Sequence, residues 1–152
     1  MLIYDDFTIG RCFELGPRTV SKEEIVEFAK EFDPQPFHLD AESEQAKQVG
    51  GLIASGWHTC SIFMRMMCDA YILDTASQGS AGLEEVRWLK PVRPNDTLSG
   101  TAKVVSRRVS KSNAKLGLVG LDYSLENQKG ETVLKITGMA MIDTQNQAGN
   151  ED

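Results

Sequence analysis

This sequence is short of almost everything that a cofactor, a membrane or a nucleic acid would require. It has three cysteines, Cys12, Cys60 and Cys68, an odd number at no paired or metal-like spacing, so they predict neither a disulfide framework nor a zinc cluster and point to a reducing compartment. It has two histidines, His38 and His58, so any acid–base proposal has few residues to choose from. No glycine-rich phosphate loop follows a strand, and nothing asks for a nucleotide redox cofactor, so the expected cofactor is none and the expected metal is none. Basic residues are outnumbered 16 to 22, for a net charge of −6, which leaves no overall positive field to attract nucleic acid. The first residues, Met1 to Asp6, lack a basic segment followed by an apolar run, so no secretory signal is expected. The most apolar stretch, Ile62 to Leu73, contains Arg65 and Asp69 and is far shorter than the roughly 20 residues that span a bilayer. A cytoplasmic protein with no membrane and no nucleic-acid partner is the expectation.

What is present suits a globular domain. Of 152 residues, 41% are apolar and 25% charged, a balance that supports one packed core. Charge is uneven along the chain. Residues 87–115 carry eight Lys and Arg against the single acid Asp96, so Arg87, Lys90, Arg93, Arg107, Arg108, Lys111 and Lys115 form a candidate dock for a small anion, or simply a solvated face. The tail from Thr144 is polar enough to fray, leaving residues 1–143 as the expected domain and 144–152 as a disordered end.

Phe13 to Val20 reads as a strand. Ser21 with Glu24 three residues later is a capping box, and Ile25, Val26, Phe28, Ala29 and Phe32 continue a helical stripe that Pro34 should stop at Phe32 or Asp33. Asp33 to His38 then holds two prolines and reads as a rigid, extended elbow in which a helix is forbidden. Asp40 to Gln48 can form a short helix that Gly50-Gly51 breaks. From Trp57 to about Leu73 apolar residues surround the helix circumference, which predicts burial on nearly all sides. After Gly82 the pattern alternates: Val86 to Leu89, Thr97 to Arg108, Lys115 to Leu125 and Thr132 to Ile142, the last two joined by a turn at Asn127 to Gly130. A run of antiparallel strands with one apolar helix to cover them is an α+β architecture.

Two places carry candidate chemistry. Asp33 and His38 lie five residues apart across the proline elbow, and a carboxylate beside an imidazole is a general acid–base pair. Alternatively, Asp33 is a turn residue and His38 a locally bonded side chain. Ser55-Gly56 opens the apolar helix, where free N–H groups favour a developing negative charge; alternatively, either residue is an ordinary N-cap. Thr59 or Ser61 could donate to the Asp33 carboxylate, although a helix hydroxyl more often bonds its own backbone. Phe63, Met64, Met66 and Met67 are read as core. His58 and Cys60 are two apart on a helix and do not face each other, so they make no metal site.

Phe32-Asp33-Pro34-Gln35-Pro36-Phe37-His38-Leu39-Asp40, then Gly51-Leu52-Ile53-Ala54-Ser55-Gly56, then Lys90-Pro91-Val92-Arg93-Pro94-Asn95-Asp96, resembles the MaoC-like dehydratase family, relatives of R-specific enoyl-CoA hydratases. The resemblance covers roughly residues 5–142 in the family's order. It implies a hotdog fold, a curved antiparallel sheet wrapped around one long central helix, usually in a homodimer. It also implies reversible hydration of a trans-2-enoyl thioester of coenzyme A. Carried over residue by residue, Asp33 and His38 hold and activate the water, and the Gly56 N–H donates to the thioester carbonyl. Gln35, Ser55 and Trp57 are the substrate-binding candidates. Gln35 stands where the family has asparagine, one methylene shorter, which puts its positioning role in question. Trp57 and His58 in the first helical turn would limit acyl shape if they face the pocket; Trp57 is read as packing and His58 is left open. The basic segment is the candidate partner for coenzyme A phosphates. The alternatives are a hotdog thioesterase and a non-catalytic acyl-CoA-binding module.

Overall fold

A computed structural model describes residues 1–145. Nine elements follow in order: β1 (Cys12–Thr19), α1 (Lys22–Phe32), α2 (Pro36–Leu39), α3 (Glu44–Gln48), α4 (Gly56–Ala70), β2 (Leu83–Trp88), β3 (Thr97–Val109), β4 (Leu116–Glu126) and β5 (Thr132–Asp143), with single 3-10 turns at Tyr4–Asp6 and Ile72–Asp74. Thr144 is tied by its N–H to the Lys115 carbonyl. The rest of the tail, 146–152, lies outside the described residues, so the expected disorder there is not addressed. No helix among the described residues is long and apolar enough to cross a membrane.

The five strands form one antiparallel sheet in the order β1-β3-β4-β5-β2. β3 and β4 run together from Ser99 opposite Glu126 to Val109 opposite Gly117. The connection between β4 and β5 is the expected turn, in which the Asn127 side-chain carbonyl accepts from the N–H groups of Lys129 and Glu131. On the face toward α4 the strands bury Leu98, Val104, Leu121, Leu125, Val133 and Ile136 with Ile62, Phe63, Met66 and Met67 of the helix. Each such side chain removed from water contributes about 1.5–3 kcal/mol. Phe63 meets Tyr123 edge-on at 5.1 Å, which locates the helix over the middle of the sheet.

The capping box of α1 forms as expected: the Glu24 N–H bonds the Ser21 hydroxyl, and the Glu24 carboxylate accepts from the Ser21 N–H. α1 stops at Phe32, just before Asp33-Pro34. α3 ends where Gly50 and Gly51 turn to φ of +84° and +130°, conformations that a side chain would resist.

Two expectations are corrected. Asp33 to His38 is not extended throughout, because Pro36 opens the one-turn helix α2 on which His38 sits. Proline is tolerated at the first helical position, where the N–H it lacks would have had no partner. Nor is α4 buried on nearly all sides: Trp57 is 64% and Met64 46% exposed. A sheet covers only one side of a helix, so Met64, read as core, lies outside it, whereas Phe63, Met66 and Met67 lie inside.

Candidate active site

The segment between α3 and α4 is stitched to two neighbours by backbone hydrogen bonds. The Ile53 N–H donates to the Phe37 carbonyl at 3.0 Å, and the Ala54 N–H to the Val92 carbonyl at 2.8 Å. These bonds set the start of α4 against α2 on one side and the loop after β2 on the other. They gather Asp33, Gln35, His38, Gly56, Trp57 and Lys90 around a cavity of about 350 Å³.

His38 is buried, and its Nδ1 lies 2.7 Å from the Ile53 carbonyl oxygen. A carbonyl only accepts, so Nδ1 carries the proton and donates, which leaves Nε2 as the nitrogen that gains and loses a proton. That nitrogen is 3.3 Å from Oδ2 of Asp33. Asp33 receives two further donors: the Ser55 hydroxyl on Oδ2 at 2.6 Å and the Gln35 side-chain amide on Oδ1 at 2.7 Å. The Ser55 bond, with help from Gln35 and the nearby His38, holds the Asp33 carboxyl below its usual range against the opposing effect of burial. The carboxylate is therefore ionised and oriented, and the ring that it faces has one exchangeable site.

Asp33 and His38 are brought together. Gln35 reaches Asp33 in spite of its extra methylene, because it sits on the exposed side of the elbow and folds back. Ser55 is fully buried and makes no side-chain cap. Its hydroxyl serves Asp33, a role looked for in Thr59 and Ser61. Those two bond backward to the Ser55 and Trp57 carbonyls instead, as helix hydroxyls commonly do. Gly56 is the first residue of α4, so its N–H is among those that a helix leaves without an internal acceptor. A side chain there is impossible without movement, since a Cβ on Gly56 would come within 2.7 Å of the Trp88 ring. The indole N–H of Trp88 donates to the Gly56 carbonyl at 2.9 Å. Trp57 is not packed in the core; it lines the cavity and meets Trp88 edge-on at 5.4 Å.

His58 points away from the site. It is buried, stacks on Phe28 of α1 at 4.8 Å, and its Nδ1 has no partner; burial lowers its affinity for a proton. The basic segment does not gather at one mouth. Arg93 donates to the Val49 carbonyl, Arg107 reaches Asp5 and lies over Tyr4, and Arg87 pairs with Glu85. Lys90, paired with Glu131, is the segment's one cation that lines this cavity.

Sequence reasoning missed the Ile53 carbonyl that selects the His38 tautomer and the Trp88 indole that fastens the helix start. A carbonyl leaves no mark on residue type. Trp88 did have a signal, since a tryptophan ends the strand just before Lys90-Pro91-Val92.

Comparison with known proteins identifies the fold and the family. Residues 6–126 match the family model described as MaoC like domain. The crystal structure of a MaoC-like dehydratase from Rhodospirillum rubrum superimposes with a TM-score of 0.85 at 34% identity, covering 96% of this chain and 99% of that one. The architecture is accordingly the hotdog fold. YdeM of Bacillus subtilis, an uncharacterised protein, is 32% identical over 125 residues, 82% of this chain and 87% of its own. Mesaconyl-CoA hydratase of Cereibacter sphaeroides is 29% identical over 146 residues, 91% of this chain but 40% of that enzyme, so the chain spans less than half of the hydratase's length.

Proposed function

The chain belongs to the MaoC-like domain family, and from that premise we propose that it is a hydro-lyase adding water reversibly to the double bond of a trans-2-enoyl thioester of coenzyme A. The observation that carries this reading is the Asp33–His38 contact at 3.3 Å inside a cavity that also holds the leading amide of α4. Mesaconyl-CoA hydratase, a relative named for such a reaction, supports it.

In the hydration direction a water seated on the cavity side bridges the Asp33 carboxylate and Nε2 of His38. The water oxygen bonds to the β-carbon while His38 takes the proton on Nε2. The imidazolium formed is stabilised by Asp33 on that side and by the Ile53 carbonyl on Nδ1–H. The electron pair of the double bond moves toward the thioester, and negative charge builds on its carbonyl oxygen. The Gly56 N–H donates to that oxygen; loss of one such donor typically costs about 2.7–4 kcal/mol of barrier. His38 then returns the proton to the α-carbon, which closes the balance: one water consumed, one C–O and one C–H bond formed. Gln35 and Ser55 act through Asp33 as positioning residues, and Trp57 and Lys90 border the space left for the acyl group and its carrier.

The same reading takes the acting unit to be a homodimer. β2 is an edge strand with no neighbour on its outer side among the described residues, and its Leu83 and Trp88 are 53% and 44% exposed.

The test follows loss of the conjugated double bond of crotonyl-CoA in the ultraviolet. Wild type should consume it, and Asp33→Asn and His38→Ala should each lose about a hundredfold or more in kcat while circular dichroism shows them folded. Equal rates in all three proteins would remove the mechanism. Release of free thiol without hydration would replace it with thioester cleavage.

A further inference from the structure

Between α3 and α4 the chain passes through Gly50 and Gly51, both at positive φ. Two glycines in a row leave the backbone free to rotate. This pair leads through Leu52 to the Ile53 carbonyl that holds His38 and the Ser55 hydroxyl that holds Asp33. A loose joint there would let both contacts drift. One side chain reaches across to it. Nη2 of Arg93 donates to the Val49 carbonyl at 2.5 Å, and a Cβ on Gly50 or Gly51 would lie 3.2 Å from Nη2 or 3.5 Å from Nη1 of the same guanidinium. Nη1 is buried without a hydrogen-bond partner, so the group is packed onto the glycines rather than turned to solvent or to an acid.

The base from which Arg93 reaches is stiff. Pro91 and Pro94 flank Val92 and Arg93 and fix φ on either side. The Arg93 N–H donates to Oδ2 of Asp96 at 2.9 Å, and the Asp96 N–H returns to the Arg93 carbonyl at 3.1 Å. The Val92 carbonyl accepts the Ala54 N–H at 2.8 Å. The stretch from Val49 to Ala54 is thus held at both ends by adjacent residues of one loop, by a side chain at its start and by backbone at its finish. Arg93 is not on the wall of the cavity beside Asp33 and His38, so it acts through what it holds.

We propose that Arg93 is a positioning residue for the Asp33–His38 pair: its guanidinium clasps the glycine joint, and the clasp keeps the Ile53 carbonyl on Nδ1 of His38 and the Ser55 hydroxyl on Asp33. The consequence for turnover rests on the proposed hydratase reading; the consequence for the two side chains does not. Ser55, burial, Gln35 and His38 account for the shift of the Asp33 carboxyl, so a change in that titration on altering Arg93 reports geometry and not a lost charge.

The experiment reads the pair directly in two variants. Arg93→Met keeps the apolar stem and loses the fork; Arg93→Lys keeps the charge but cannot span both glycines. At a pH where the ring is neutral, nitrogen-15 NMR should show His38 as the Nδ1–H tautomer in wild type and as a mixture with the Nε2–H form in both variants. Carbon-13 NMR should show the Asp33 titration moved upward in both, by less than in Ser55→Ala. Hydration of crotonyl-CoA should fall about tenfold in kcat with KM within about twofold, since a displaced acid–base pair loses rate rather than binding. Melting temperatures and circular dichroism report folding, and if Arg93→Met does not fold, Arg93→Lys decides by the same two signals. A lower melting temperature with both NMR signals unmoved would make Arg93 a structural residue only and overturn the proposal. Wild-type signals in Arg93→Lys would assign the effect to charge and overturn it too, as would a rise in KM at constant kcat. If the signals move but wild type hydrates no enoyl thioester, the hydratase reading fails and the positioning role stands. If wild type hydrates crotonyl-CoA and the signals stay put in the variants, the positioning role fails alone.

Discussion

Ser55→Ala isolates the bond that holds the acid ready. The Ser55 hydroxyl is wholly buried and donates to Oδ2 of Asp33 at 2.6 Å, the largest of the effects that lower that carboxyl's pKa. A hydrogen bond to an ionised acceptor contributes about 1.5–3 kcal/mol, and the lower end applies because the carboxylate still meets solvent on one side. Removing the hydroxyl should lower stability at neutral pH by about 1.5 kcal/mol, or roughly 3–6 °C in Tm for a chain of this size, and should move the Asp33 titration upward. The sign follows from linkage. A carboxyl whose folded pKa lies below its unfolded value of 3.8 adds stability that is fully present above that value and is lost as pH falls through the folded pKa. The gap in stability between wild type and Ser55→Ala should therefore be constant from neutral pH down to about 5 and close in stronger acid. Carbon-13 NMR of the Asp33 carboxyl gives the titration directly, and calorimetry at several pH values gives the stability. Gln35→Ala, which removes a weaker and exposed donor, should shift the same signal less. An unmoved Asp33 titration in Ser55→Ala, or a larger shift in Gln35→Ala, would refute the reasoning.

Gly56→Ala drives a Cβ into the Trp88 indole, so it should cost about 1–3 kcal/mol in thermal unfolding and lower kcat more than it raises KM, provided that the helix amide serves the reacting carbonyl. His58→Phe keeps the stack on Phe28 and deletes a buried nitrogen without a partner, and should raise stability by about 1 kcal/mol. Because burial lowers the His58 pKa from 6.5, its contribution is fully present above that value and is lost as pH falls below it; the advantage of His58→Phe in chemical denaturation should accordingly be larger at pH 5.5 than at pH 8. Leu121→Ala opens a hole in the centre of β4 and should cost about 2–5 kcal/mol without altering the Asp33 titration.

Much of this architecture could be read along the chain because the signals were local. The Ser21–Glu24 box, the glycine pair at 50 and 51 and the alternation of Thr132 to Ile142 each report short-range geometry that packing did not override. The elbow was misjudged at Pro36, where proline ends one conformation and also starts another, and residue type alone does not say which. The extent of burial around α4 is not legible because an apolar residue looks the same whether it is covered or left beside an open groove; Met64 and Met67 are neighbours on one helical face and border the same groove, yet Met64 is 46% and Met67 7% exposed. Within the candidate site, the types of the acid and the imidazole were visible. Which hydroxyl would reach Asp33 was not, since Ser55, Thr59 and Ser61 are separated by fold geometry rather than by chemistry.

The chain contains two tryptophans, and both stand at the candidate active-site cavity in contact with each other. Its intrinsic emission therefore comes from one spot, with no background from indoles elsewhere. Any molecule that settles there, or any rearrangement of the mouth, should register as a change in colour or brightness of the unlabelled protein. Nature has in effect installed a built-in optical reporter where an investigator would have wished to attach one.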